Sequence, residues 1–264
     1  MGRICKMLKK DPWEGYIEPS KMVGNLYFVG TKPASTHIID TGDGLILIDP
    51  GYQESLYLVL HNMWQLGLDP RNICYILLTH CHYDHCDATQ ALVELTGAAV
   101  CFPKADLPLL NGEIYHYDFR PFKPDILLED GDAVTLGNTV VRCVATPGHT
   151  DGTMSYFFPV TDGEHTYRAA MHGGAGMNSM MSDFLKERGL SCDCRRKFLE
   201  GLDKVENQQV DITLGNHVGQ NDTAGKLSRL GTEEDNPFVD PTEWKRFIEN
   251  CREKLNKLNE EDPC

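Results

Sequence analysis

The densest potential chemistry in this sequence lies in Thr79-His80-Cys81-His82-Tyr83-Asp84-His85. Three imidazoles and one carboxylate fall within six positions. Zinc accepts both ligand types. His80 and His82 are two apart, so an extended backbone points both to one side. Asp84 and His85 are adjacent and must diverge unless the chain turns. The economical reading is two metals, one for the His80/His82 pair and one for the Asp84/His85 pair. The alternative is a solvated, histidine-rich loop.

This cluster directly follows Ile73-Cys74-Tyr75-Ile76-Leu77-Leu78, an apolar run with the length and β-branched content of a buried strand. The site therefore begins at the rim of a sheet. Three further histidines stand just beyond strand-like runs: His149 after 139–145, His172 after 166–171 and His217 after 210–214. His37 sits inside a strand pattern and is expected in the core. His61 and His165 are expected at the surface, and His116 in a loop-rich segment, 103–125.

The elements around these ends alternate. Strand patterns cover 26–29, 36–39 and 45–48, with a hairpin signal at Asp43-Gly44. A helical pattern over 53–66 precedes the 73–78 strand, and another over 88–95 precedes a strand at 98–102. A second meander runs over 126–128, 133–136 and 139–145, turning at Gly137-Asn138, and continues through 153–158 and 166–171. A helix over 191–205 and a strand over 210–214 follow. Residues 219–239 read as loop. Asp240 and Pro241 predict the start of a last helix over 240–260, whose stripe of Trp244, Phe247, Ile248, Cys251, Leu255 and Leu258 docks on a sheet. No repeat or linker interrupts 1–264, so a single domain with an N-terminal arm over 1–20 is expected.

Composition narrows the function. The chain has 264 residues and a formal net charge of −14. An acidic surface repels phosphate backbones, so no nucleic-acid partner is expected. The short basic clusters, Lys6 to Lys10 and Arg195-Arg196-Lys197, read as solvated faces. No run approaches the roughly 18 apolar residues of a membrane span. The first residues lack the apolar core of a signal peptide. Ten cysteines are scattered without framework spacing. These features predict a reduced, cytoplasmic protein with free thiols. Cys81 and Cys86, flanking the histidines, are expected to be prone to oxidation, and Cys192-Asp193-Cys194 reads as ordinary cysteines.

The order H-x-H-x-D-H, then Thr146-Pro147-Gly148-His149-Thr150, then Asn216-His217, resembles the metallo-β-lactamase superfamily, from about Gly24 to the last helix. Within it the chain is most similar to subclass 3 of the metallo-β-lactamases, through Gly24 to Thr31, Gly44 to Asp49, Leu128 to Asp132 and Thr146 to Thr153. The resemblance implies an α/β fold, an αββα sandwich of two mixed sheets flanked by helices. It implies two zinc ions per chain, one on His80, His82 and His149, the other on Asp84, His85 and His217. Glyoxalase II-like hydrolases and many lactonases carry a bridging Asp where this chain reads Ala170-Met171-His172-Gly173. Two features depart from subclass 3. Its enzymes are exported, and they place serines where Gly173-Gly174-Ala175 stands. His172 and Gly173 are therefore candidate substrate contacts. His172 could equally join the metal site or cap the turn.

Two zinc ions about 3.5–4 Å apart bring a shared water's pKa near neutrality. The resulting hydroxide would attack a carbonyl carbon, with Asp84 also orienting it. The resemblance thus implies a zinc-dependent hydrolase cleaving a small, possibly cyclic, amide or ester, with β-lactam hydrolysis at least as a weak activity. A lactonase or thioesterase on the same site is the alternative. A non-catalytic metal-binding protein is a third reading. A diiron redox centre would need more bridging carboxylate and a flavin partner domain. The substrate and the oligomeric state are not legible.

Overall fold

Two β-sheets stacked face to face carry the molecule, with helices on both outer surfaces. The structure, a computed structural model, describes residues 11–116 and 118–264. The Lys6 to Lys10 cluster and half of the expected arm fall outside them. After a 3-10 turn at Pro12–Gly15 come four antiparallel strands, β1 (Ser20–Val23), β2 (Leu26–Phe28), β3 (His37–Asp40) and β4 (Leu45–Ile48). Helix α1 (Leu56–Gln65) leads to β5 (Ile73–Leu77), parallel to β4. A single turn, α2 (Tyr83–Cys86), and helix α3 (Thr89–Thr96) lead to β6 (Ala99–Pro103). The turn α4 (Leu107–Leu110) precedes β7 (Ile126–Leu128), and β5, β6 and β7 run parallel.

The second sheet starts with β8 (Ala133–Leu136), β9 (Thr139–Ala145), β10 (Met154–Thr161) and β11 (Thr166–Met171), all antiparallel. Helices α5 (Ser182–Glu187) and α6 (Asp193–Val205) follow, then β12 (Ile212–Leu214), which pairs parallel with β11. Helices α7 (Thr223–Arg229) and α8 (Glu243–Glu261) complete the chain. The first sheet holds seven strands in sequence order, and the second runs β12-β11-β10-β9-β8.

Alternation along the strands sorts the core into layers. Ile46 and Ile48 point between the sheets with Tyr156, Phe158 and Met171. Leu45 and Leu47 point outward, onto Val59 and Met63 of α1 and Leu92 of α3. On the far side, Phe157 and Ala170 meet Phe198 and Leu202 of α6 and Trp244, Phe247 and Leu255 of α8. Each such side chain contributes about 1.5–3 kcal/mol when fully buried. This is the expected αββα sandwich.

Five expectations need correction. The arm over 1–20 ends in a strand, because Ser20 opens β1. Within 219–239 lies α7, anchored by a buried ion pair, Lys226 Nζ to Glu243 Oε1 at 2.5 Å. Helix α8 begins at Glu243 rather than Pro241, after a turn at Pro241-Thr242 in which the Glu243 N–H donates to the Asp240 carbonyl at 3.1 Å. Glu243 serves Lys226, while the Asp240 carboxylate accepts from the Thr242 N–H at 2.9 Å. Finally, not all thiols are free. Cys192 is joined to Cys264, across 72 residues of sequence. Contrary to expectation, Cys81 and Cys86 are fully buried and shielded from solvent oxidants. Among the described residues no helix is long and apolar enough to cross a membrane.

Candidate metal centre

The end of β5 delivers the first ligands. Tyr156 Oη donates to the Leu78 carbonyl at 2.6 Å, and the Met154 N–H to the Thr79 carbonyl at 2.8 Å, pinning the chain where it leaves the sheet. His80 follows in a bent segment, His82 has extended backbone, and the chain then turns through α2. That turn lets the adjacent Asp84 and His85 converge. His149 arrives from the loop after β9, and His217 from the loop after β12.

These six side chains form two triads, His80/His82/His149 and Asp84/His85/His217, each with its candidate ligand atoms within 4.8 Å of one another. The triads abut, with the His80 and His85 ring centroids 4.3 Å apart. His85 Nε2 lies 3.2 Å from His217 Nε2, and Asp84 Oδ2 lies 3.6 and 3.7 Å from those two atoms. Two ligands about 2.0–2.1 Å from one tetrahedral zinc stand about 3.3–3.4 Å apart. The second triad thus has the spacing of a zinc coordination face.

Hydrogen bonds decide which ring nitrogens face inward. His85 Nδ1 donates to Asp49 Oδ2 at 2.9 Å, His149 Nδ1 to the Gly176 carbonyl at 2.8 Å and His217 Nδ1 to the Pro33 carbonyl at 2.5 Å. His80 Nδ1 lies 3.0 Å from Thr79 Oγ1, whose own proton goes to Asp49 Oδ2 at 2.7 Å. With Nδ1 protonated in each of the four, Nε2 keeps its lone pair for a ligand. The Nε2 of His80 is fully buried and has no hydrogen-bond partner. His82 is turned the other way, its Nε2 lying 3.4 Å from Tyr115 Oη, which leaves Nδ1 for the triad. An orphaned, desolvated lone pair and five oriented imidazoles fit a bound cation.

The electrostatics agree. Burial, reinforced by neighbouring imidazoles, holds His80 and His82 well below the usual imidazole range. Burial likewise lowers His149 to about 4, and lowers His217. These rings stay neutral at pH 7, as metal ligands must be. Burial also acts against the charge on His85, but the Asp84 and Asp49 carboxylates outweigh it and raise His85. Burial pushes the Asp84 carboxyl up, and His85, His217 and His82 outweigh it, so Asp84 stays ionised.

The other histidines separate from the site. His37 is buried in the core, packed edge-on against Phe28, and His61, His116 and His165 are exposed. His172 is 1% exposed and packs against Phe198 and Phe247. Its Nδ1 accepts the Gly174 N–H at 3.3 Å, so it caps the turn rather than joining either triad. Gly173 is equally committed: its N–H donates to Ser155 Oγ at 3.2 Å and its carbonyl accepts from Asn216 Nδ2 at 2.7 Å. His172 Nε2 is buried and has no hydrogen-bond partner, whereas both backbone groups of Gly173 are engaged within the chain. The missing serines also have a steric cause. A Cβ on Gly173 would collide with the Met154 backbone, and one on Gly174 would lie 2.6 Å from His149 Cδ2. Beside His149 a cavity of about 200 Å³ opens, walled by Ile114, Tyr115, Phe184 and Leu185, with Lys197 at its edge.

The superfamily model for the metallo-beta-lactamases matches residues 29–162, more than half of the chain. The chain belongs to the metallo-beta-lactamase superfamily. Among solved structures of this superfamily, it is similar to the subclass B3 metallo-beta-lactamase BJP-1 of Bradyrhizobium japonicum. The two are 27% identical, with a TM-score of 0.87 over 96% of this chain and 97% of that one. FEZ-1 of Legionella gormanii is 28% identical, with a TM-score of 0.84 over 92% and 96% of the two chains. Among curated proteins, it is 33% identical to a probable polyketide biosynthesis zinc-dependent hydrolase of Bacillus subtilis, PksB, over 43% of this chain and 44% of that protein. It is 32% identical to the hydroxyacylglutathione hydrolase of Pseudoalteromonas translucida, over 56% of this chain and 52% of that protein. The chain thus spans about half the length of these curated relatives.

Sequence reading missed the residues that bond the candidate ligands: Asp49, Thr79 and Tyr115, and Ser179, whose hydroxyl lies 3.0 Å from His149 Nδ1. One signal was available: Asp49 is a carboxylate directly beyond a strand, as the ligands are.

Proposed function

We propose that this chain is a zinc-dependent hydrolase of the subclass B3 type, holding two zinc ions on His80/His82/His149 and Asp84/His85/His217. The observation that carries this reading is the pair of abutting triads with inward-facing lone pairs. Bound there, two zinc ions would supply a water of lowered pKa and polarise a substrate carbonyl. The protein's own residues do the rest. Asp84 accepts a hydrogen bond from the attacking water and fixes its direction. Thr79, Asp49, Gly176 and Pro33 keep the imidazole protons on Nδ1, so the rings do not reorient during turnover. Ile114, Tyr115 and Phe184 exclude solvent beside His149 and receive an apolar substituent. The substrate is a small amide or ester, β-lactams included. An activity screen of zinc-loaded protein across β-lactams, lactones, thioesters and phosphodiesters tests this. No turnover of any carbonyl substrate with both metals bound would reject it.

A second reading, hydrolysis of a lactone or thioester at the same centre, is favoured by the hydroxyacylglutathione hydrolases among the relatives. It is also favoured by the Gly173-Gly174-Ala175 turn, which has no hydroxyl for a β-lactam carboxylate. The screen separates the two readings by relative efficiency.

A further inference from the structure

Asp106 stands just beyond β6, three residues past its last position, and is 1% exposed. Its carboxylate accepts three hydrogen bonds. Oδ2 takes the Cys81 N–H at 2.8 Å and the Thr150 hydroxyl at 2.9 Å, and Oδ1 takes the Gly152 N–H at 2.7 Å. Cys81 lies between His80 and His82, and Thr150 directly follows His149. All three donors therefore belong to the two loops that carry the first triad. These loops come from different sheets, after β5 and after β9. By accepting from both, the Asp106 carboxylate ties them to each other.

The cost of this arrangement argues for a purpose. A buried carboxylate is expensive unless paired. Among the described residues no Lys or Arg lies within ion-pair distance of Asp106; its compensation comes from the three donors alone. The fit is also close: a Cβ on Gly152 would come 2.5 Å from Asp106 Cγ. The Thr150 backbone N–H is held in turn by Thr153 Oγ1 at 2.9 Å, so the His149 loop is braced at consecutive positions.

We propose that Asp106 is a positioning residue for the first metal, clamping the His80–His82 segment to the His149 loop so that the three imidazoles converge. Its carboxylate makes no hydrogen bond to a ligand ring, and it stands in the wall of the cavity beside His149. It acts through the backbone, whereas Asp49 acts on the imidazole of His85. The proposal rests on the dinuclear reading above, and it assigns Asp106 to one triad and not to the other.

That asymmetry supplies the test, read by metal affinity rather than turnover. In a His217→Ala background only the first triad remains complete, and in a His149→Ala background only the second. Cobalt(II) titration followed by its visible absorption, with zinc competition, measures each site alone in the full chain. Adding Asp106→Asn should weaken the first triad by about ten- to a hundredfold, the usual effect of losing a supporting partner, and leave the second within about twofold. An asparagine retains the volume but turns an N–H₂ toward one of the three donors. Thr150→Val, which removes one donor and keeps the carboxylate, gives a milder variant with a severalfold loss at the same triad. Circular dichroism verifies that each variant is folded. Equal weakening of both triads, or of neither, in Thr150→Val and Asp106→Asn overturns the proposal. If the His217→Ala and His149→Ala proteins and the parent all fail to bind metal, the dinuclear reading falls and this inference falls with it.

Discussion

His85 Nδ1 lies 2.9 Å from Asp49 Oδ2, and the same oxygen accepts the Thr79 hydroxyl at 2.7 Å. One carboxylate at the end of β4 thereby orients a ligand of the second triad and, through Thr79, a ligand of the first. Asp49→Ala should cost about 10–100-fold in metal affinity, distributed over both sites. Zinc competition with a chromophoric chelator measures it, and a loss confined to one site would contradict the shared role.

Stoichiometry is the most direct check on the centre. Protein purified without chelator should carry two zinc ions, and His217→Ala about one, because three protein ligands are the usual minimum at a catalytic zinc. Elemental analysis decides. One ion in the parent, unchanged after zinc addition, would leave the second triad unused.

β-Lactam turnover should be measurable but inefficient, with the deficit in KM. The Gly173-Gly174-Ala175 turn has no hydroxyl to bind a substrate carboxylate. A hydrogen bond to a charged group contributes about 1.5–3 kcal/mol, so its absence weakens binding by about ten- to a hundredfold. Restoring a serine at Gly174 should not help, because the new Cβ would press on His149. Gly174→Ser should lose metal rather than gain activity. Steady-state kinetics with metal analysis on both proteins tests this, and a lower KM in the variant at full metal content would refute it.

Acid should destabilise the metal-free fold through its buried histidines, among them two outside the triads. Burial lowers His37 to about 3 and His172 to about 4, against about 6.5 in the unfolded chain. Both groups are neutral in either state above pH 6.5, so stability there is undiminished. Below it the unfolded chain takes up protons that the folded protein refuses, and stability falls progressively until about pH 3–4. Urea denaturation in chelator at pH 7.5, 6 and 5 should show the midpoint dropping. His37→Leu should flatten the slope, and an unchanged slope would place the acid sensitivity elsewhere.

The Cys192–Cys264 bond should stabilise the protein against unfolding. It closes a loop of 72 residues, which on chain-entropy grounds is worth about 4 kcal/mol. It also holds Asp262 where its carboxylate bonds Ser182 and pairs with the buried Arg195 at 3.0 Å. Reduction, or Cys264→Ser, should lower the melting temperature without changing metal content. No shift on reduction would mean that the thiols are unpaired in solution.

Much of this architecture was legible because its signals are local. Alternating Leu45-Ile46-Leu47-Ile48 specifies a strand buried on both faces, and all six candidate ligands lie in segments that follow recognisable strands. What stayed hidden depends on partners distant in sequence. α7 has little apolar periodicity of its own and is secured by Lys226 reaching Glu243. His172 reads as a strand-end ligand like its neighbours, yet the packing of Phe198 and Phe247 turns it into the core. The Cys192 partner lies at the far end of the sequence, where spacing gives no hint. Asp106 occupies a loop segment in which no periodicity marks one carboxylate over another.

The ligand order along the chain also sets a timetable for synthesis. The first triad is complete once residue 149 has emerged, but it needs β9 and β10 docked on the first sheet. The second joins His85 to His217, 132 residues apart, and waits for β12 to pair with β11. Domains emerging from the ribosome gain structure from the N-terminal side, and long-range contacts form late. A growing chain therefore presents a three-histidine site well before the carboxylate-containing one can close. Until then Asp84 and His85 lack the third member of their triad, at the edge of a nascent sheet.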